Sequence, residues 1–230
     1  MPTPLTPPNF RGLRSERALT IYHRNLPHWR QDGATYFITF RLNDSIPAKQ
    51  TRQIRRLRES WLLHQPPPNS ETQLQELAKI VSSREEKFLD RGYGGCILAD
   101  PGSQEIQVRA LTHFDCEEED ARYELGAYVI MPNHVHAIVR PIQPKRHPLE
   151  KIIQSWKRHA TREINKRNQN KGSIWEEESF DRIIRDENHL QKCLHYIGKN
   201  PSKAGLNHYQ CPMWIRSHWR ELGWHLDAQA

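Results

Sequence analysis

Cysteine is scarce and scattered in this sequence. There are four in 230 residues (Cys96, Cys116, Cys193 and Cys211), with no CxxC pair. This spacing excludes a zinc ribbon or a disulfide scaffold and fits a reducing cytoplasm. No apolar run approaches the roughly 18 residues that span a bilayer. The Pro-rich opening MPTPLTPPNFRG contains no apolar signal core, so the chain is expected to be soluble, cytoplasmic and without a membrane partner. No internal repeat is visible, which excludes solenoids. Acidic residues are in deficit, with 27 Asp and Glu against 34 Lys and Arg, a net charge of +7 and a pI near 9.3. That balance favours a polyanionic partner such as nucleic acid. Apolar residues reach only 36%, yet seven Trp, seven Tyr and six Phe supply the anchors that disordered chains lack. A single large domain, or one domain carrying an insertion, suits this length.

Periodicity supplies the organisation. Residues 1–20, rich in Pro, Arg and Thr without apolar period, are expected to be a flexible arm, with the folded domain following over 21–208 and a tail over 209–230. In YFITFRL, Tyr36, Ile38, Phe40 and Leu42 share one face at period two and predict a half-buried strand. Segments 48–64 and 70–90 have helical spacing on either side of a QPPPN break, and a short helix is expected near 104–115. Together these make a helical insertion over 43–118. Runs 123–131 and 134–140 read as an antiparallel hairpin turning at Pro132-Asn133. A basic amphipathic helix over 148–167 follows, with Leu149, Ile152, Ile153, Trp156, Ala160 and Ile164 on its apolar stripe. Segment 173–185 supplies a last strand, and a helix over 188–200 is expected to start with an Asn188/Gln191 cap. The order strand, helical insertion, strand, strand, helix, strand, helix predicts an α+β fold with a ferredoxin-like, split βαβ antiparallel sheet.

Two short motifs carry the chemistry. In NHVHAIV the two histidines lie two apart on a strand, so His134 and His136 project from one face and Val135 from the other. The pair can grip one metal ion, or can simply hydrogen-bond at a sheet surface. In HYIGKNPSKAGL, Tyr196 and Asn200 stand at i and i+4 on one helix face, so that a phenol and an amide oxygen reach a common place. The bland alternative is an interfacial tyrosine and an Asn that stops the helix before Pro201.

MPNHVHAIVRP followed by YIGKNPSKAGL resembles the single-tyrosine HUH transposases, in which HUH denotes His, a hydrophobic residue and His. The finer resemblance is to the REP-associated tyrosine transposases, through YFITFRL, IIQSWKRHATREINK, IWEEESFDRIIRDE and the tyrosine helix, over residues 22–208. This resemblance implies the HUH endonuclease fold, with Tyr196 as nucleophile and His134, His136 and Asn200 as metal site. It also implies single-stranded or hairpin DNA as partner, cleaved and rejoined at hairpin-forming repeats through a 5′-phosphotyrosine. The insertion is longer than the helix of compact relatives, which leaves its role open.

Two neutral imidazoles and one amide oxygen leave coordination positions free, a set that suits Mg²⁺ or Mn²⁺. Tyrosine, with an unperturbed pKa of about 10, needs help to ionise. His195 projects about 100° away around the helix, so solvent or a metal-bound base is the expected acceptor. Lys157, Arg158 and Arg162 on the basic helix, with Lys199 and Lys203 near the tyrosine, are candidate DNA contacts. Two rival readings remain: a catalytically silent hairpin DNA or RNA binding regulator, and a metal-dependent nuclease activating water. The chain is expected to act as a monomer or homodimer.

Overall fold

The computed structural model describes residues 4–23, 27–116 and 119–226. A two-stranded hairpin, β1 (Thr20–His23) with β2 (Pro27–Arg30), precedes the core strand β3 (Tyr36–Arg41). Helices α1 (Ala48–His64), α2 (Glu71–Leu89) and α3 (Pro101–Thr112) follow, then the strand pair β4 (Tyr123–Ile130) and β5 (His134–Pro141). The chain continues through α4 (Leu149–Asn168), β6 (Phe180–Ile183), α5 (Glu187–Lys203), β7 (Met213–Ile215) and α6 (Ser217–Glu221). The main sheet has the order β6-β3-β5-β4-β7, antiparallel throughout. Its first four strands have the arrangement expected of a split βαβ sheet. No helix among the described residues is long and apolar enough to cross a membrane.

Side-chain alternation sorts the sheet into two cores. Tyr36, Ile38 and Phe40 of β3, with Val135, Ala137 and Val139 of β5, meet α3 and α4. Trp156 Nε1 donates to the Tyr123 hydroxyl at 2.8 Å, and that hydroxyl donates to the Leu111 carbonyl at 2.8 Å, so neither polar tip is orphaned in this core. On the other face, Phe37, Val129 and Ile138 meet Leu190, Cys193, Leu194 and Ile197 of α5. Both α1 and α2 begin within a residue of the expected position, and the Ser70/Gln73 capping box sets the start of α2.

Several expectations are corrected. Helix α3 starts at Pro101 because Asp100 caps it, accepting from Ser103 N at 2.8 Å, with proline at the first position. It packs on α4 in the first core, so α3 belongs to the sheet's own helical layer, while the α1–α2 hairpin builds a third cluster of its own and reaches the first core through Leu74 and Ala78. Helix α5 is capped by Asp186, not Asn188. The Asp186 side chain accepts from His189 N at 2.7 Å, and the helix continues through Pro201 to Lys203 because Asn200 and Pro201 are both buried in packing.

The arm expected over 1–20 is anchored to the fold at several residues, among them the buried Pro7 and Phe10, while residues 14–18 are exposed and residues 1–3 lie outside the described set. Phe10 is buried in the second core, and Leu13 N donates to Ile184 O at 3.2 Å. The expected tail over 209–230 is structural as far as Leu226, the last described residue. Strand β7 pairs with β4, and Arg216 N donates to Gly126 O at 2.8 Å, where β4 bulges. The Arg216 guanidinium grips Asp115 in a buried pair at 2.6 and 2.7 Å. Trp219 lies against Gly126, in space that a β-carbon there would need. Periodicity could not find this segment, because its strand is three residues long and its anchors are isolated tryptophans.

The β1–β2 hairpin docks on β6 through a buried ion network that no sequence pattern suggested. His28 Nδ1 meets Asp181 Oδ1 at 2.6 Å, and Arg30 bonds both Asp181 and Glu150. Burial works to lower the His28 pKa, but hydrogen bonds to Asp181 and Glu178 outweigh it and hold the ring protonated, at about 9. A folded pKa above the unfolded one makes this contribution to stability complete below about pH 6.5 and lost as pH rises through 9. His28→Gln should therefore flatten the fall in urea stability between those values; a wild-type profile flat over that range would contradict the network.

Trp219→Ala should cost about 3–5 kcal/mol by urea titration, the range for a large aromatic removed from a core. An unchanged midpoint would return residues beyond 209 to the status of a tail.

Candidate active site

Strand β5 places both histidines on the α5 face, fully buried, with ring centroids 4.7 Å apart. Each ring is oriented through its Nδ1. Asn133 donates its amide NH₂ to the Leu89 and Tyr93 carbonyls, at 3.3 and 3.2 Å, which turns its Oδ1 toward His134 Nδ1 at 2.7 Å. An Nδ1–H donor on His134 leaves Nε2 as a lone pair. That Nε2 lies 3.3 Å from Asn200 Oδ1, so two acceptors face each other. His136 Nδ1 meets the Thr39 hydroxyl at 2.7 Å, and its Nε2 is buried with no protein partner.

Burial depresses both histidines. His134 is lowered to about 4, the contact with Asn200 opposing the shift. His136 falls well below the usual value through burial, reinforced by His134, Arg182 and Lys203. Both rings are thus neutral at pH 7, the form that ligates a metal. Three lone-pair atoms without a positive centre among them (His134 Nε2, His136 Nε2 and Asn200 Oδ1) are what a small cation would satisfy. The set of two imidazoles and one amide oxygen fits a divalent ion with open positions, and among the described residues no group of three or more His, Cys, Asp or Glu is arranged to hold a metal ion.

Helix α5 brings Tyr196, Asn200 and Lys203 onto one stripe at i, i+4 and i+7. The Tyr196 ring stands edge-on to His136 at 5.0 Å and to Phe37 at 5.7 Å, and Lys203 Nζ lies 4.4 Å from its centroid. Burial, then the neighbouring Glu86 carboxylate, raise the phenol's pKa, while the Asn200 amide opposes them. The resting hydroxyl is protonated.

Two groups here escaped the sequence reading. Glu86 comes from α2 and lies beside the Tyr196 hydroxyl. Arg182 of β6 sits over the Phe37 ring at 5.0 Å, with its Nε buried and unpartnered in the protein. Strand alternation in FDRI could have paired Arg182 with the histidine face. Glu86 had no signal, being one acid among several on a helix whose position was unknown.

The candidate DNA contacts divide. Lys199 and Lys203 are exposed on α5 beside Tyr196. Helix α4 lies across the sheet, so Arg158 and Arg162 are exposed on the face opposite the histidines, and Arg162 pairs with Glu163. Lys157 is a structural residue. Its ammonium donates to the carbonyls of Glu176 and Glu177 at 2.9 and 3.1 Å, tethering the segment that leads into β6.

Comparison with known proteins now adds to this geometry. Residues 102–200 match the family model described as IS200-like transposase, a segment that holds His134, His136, Tyr196 and Asn200 and leaves out the α1–α2 hairpin. No curated protein matches the chain significantly in sequence. A solved structure of a REP-associated tyrosine transposase bound to a REP hairpin is similar over 81% of this chain and 74% of that one, at 15% identity and a TM-score of 0.45.

If DNA lies along α5, replacing both Lys199 and Lys203 with Ala should lower the log-log salt slope of single-strand binding by roughly 0.7 per lost contact. Lys157→Ala should instead lower stability and leave the slope unchanged. The reverse pattern would place DNA on α4.

Proposed function

Taking the chain as an IS200-like transposase through residues 102–200, we propose that it nicks and rejoins single-stranded DNA at hairpin-forming repeats, with Tyr196 as nucleophile. The observation that carries this reading is the convergence, within one chain, of the Tyr196 phenol with three lone-pair atoms aimed at a common place. A binding module has no need of a buried imidazole nitrogen with no protein partner, such as His136 Nε2, which costs about 1–3 kcal/mol when left unsatisfied.

Mg²⁺ or Mn²⁺ would be held by His134, His136 and Asn200, and when bound would supply Lewis-acid polarisation of the scissile phosphate. The protein's own groups do the rest. Tyr196 Oη forms a bond to phosphorus as the bond from phosphorus to the 3′ oxygen breaks. The 5′ phosphate stays on tyrosine, and the leaving oxygen takes up a proton to become a 3′ hydroxyl. Attack by a DNA hydroxyl reverses the same exchange, so no external energy source is consumed. Glu86 would receive the phenolic proton, and Arg182 and Lys203 would bring positive charge to where negative charge builds up on the phosphate. Asn133 and Thr39 hold the imidazoles in position.

Trapping on single-stranded hairpin DNA tests this. Wild-type protein should form a covalent adduct on Tyr196 that disappears in chelator and returns with Mg²⁺, while the fold survives metal removal because both cores are apolar and independent of the site. Tyr196→Phe should bind DNA normally and form no adduct. Asn200→Ala should lose less activity than His136→Ala, since water replaces an amide oxygen more readily than an imidazole. Free hydrolysed ends would mean a nuclease, and uncut retention a binding regulator.

A further inference from the structure

A cavity of about 360 Å³ opens between the α1–α2 hairpin and the β3–β6 edge of the sheet, on the histidine face. The size is that of a pocket for one small organic group. Its walls combine Ile54, Val81 and Leu89 with the half-buried ring of Phe180. Its polar lining is richer in carboxylate than in guanidinium: Glu59, Glu85, Glu176 and Glu178 against Arg41, Arg55 and Arg58. Arg41 is already paired with Glu176 at 3.2 Å and Glu85 at 3.7 Å. Glu59 is paired with Arg55 and Glu178 with the protonated His28, so the charges of the lining balance, and the carboxylate oxygens keep lone pairs that accept hydrogen bonds from neutral amino groups.

The cavity is tied to the active site at three points. Thr39 lines it and hydrogen-bonds His136 Nδ1 at 2.7 Å. Leu89 lines it, and its carbonyl accepts from Asn133, which orients His134. Consecutive residues of α2 serve the two places, Glu85 in the cavity and Glu86 beside Tyr196.

We propose that this cavity is a base pocket, built by the α1–α2 hairpin, that takes one unpaired nucleobase of the strand close to the phosphate attacked by Tyr196 and favours bases carrying an exocyclic amino group. The inference rests on the proposed function for its ligand. Phe180 and the aliphatic walls receive the ring faces, and the carboxylates accept from the amino group of adenine, cytosine or guanine, which thymine lacks. The exposed Lys199 and Lys203 would hold the backbone outside the pocket. The pocket would thereby set which nucleotide flanks the cleaved bond.

Full-length Tyr196→Phe protein allows binding to be measured without cleavage, using fluorescently labelled oligo(dA), oligo(dC) and oligo(dT). Oligo(dA) and oligo(dC) should bind about fivefold or more tightly than oligo(dT), the scale of one good base contact. Adding Thr51→Trp, which plugs the cavity from an exposed position on α1, should erase that preference and leave oligo(dT) affinity intact. Glu59→Gln, at another exposed position, should weaken the preference without risk to folding. Equal affinities for the three strands, or a preference untouched by both changes, would overturn the pocket. Adduct formation by protein with Tyr196 intact is scored separately. An adduct without base preference removes the pocket alone, and base preference without an adduct removes the transposase reading alone.

Discussion

Strand β5 lies between β3 and β4, so its backbone is fully paired and both its faces are covered. Each of its side chains must then match one of two dry environments. Val135, Ala137 and Val139 do so by being apolar; His134 and His136, on the other face, do so by losing their charge and finding partners. Asn133 and Thr39 each occupy one ring nitrogen, which leaves the two Nε2 atoms directed toward the stripe of α5. The reactive character of the site follows from burial. In water the same imidazoles would titrate near 6.5 and compete for solvent; here they are neutral and fixed before any ligand arrives.

The parts of this arrangement legible in the sequence are those set by short-range periodicity. A spacing of two on a strand put both histidines on one face, and a spacing of four on a helix put Tyr196 beside Asn200. The order of elements then gave the sheet. What sequence could not supply is whatever depends on how distant elements meet. Glu86 reaches Tyr196 because α2 folds back over the sheet, and Arg182 reaches Phe37 because β6 pairs with β3. The β1–β2 hairpin was invisible because its strands are four residues long and its link to β6 is ionic, through His28, Arg30 and Asp181, while its apolar anchors Ile21 and Trp29 are too few to show a period.

Charge misled where alternation did not. The basic side of α4 reads as a phosphate-binding surface, but amphipathicity reports only that one side is exposed, not which face of the sheet carries the helix. Helix α4 lies opposite the histidines, and Lys157 has its donors committed to backbone carbonyls. The cations that do stand beside Phe37 and Tyr196, Arg182 and Lys203, belong to elements chosen by packing around those rings. A positive total does not say which cations stand together; the topology does.

The C-terminal segment shows how far that dependence extends. Gly198 lies midway between Tyr196 and Asn200, two residues from each, and therefore on the opposite side of α5. A β-carbon there would collide with the backbone of Leu226, so that residue presses directly on the helix behind Tyr196. Leu226 is held in turn by the burial of Trp219 and Trp224 in the second core, and by Arg216, whose buried pair with Asp115 fixes the segment to β4. The bulge at Gly126 completes the connection, since its missing side chain is what admits the Trp219 ring. Two glycines far apart in sequence thus perform one task. One lets the C-terminal segment onto the sheet, and the other lets it close against α5, which leaves Tyr196 and Asn200 no direction to face except toward the histidines.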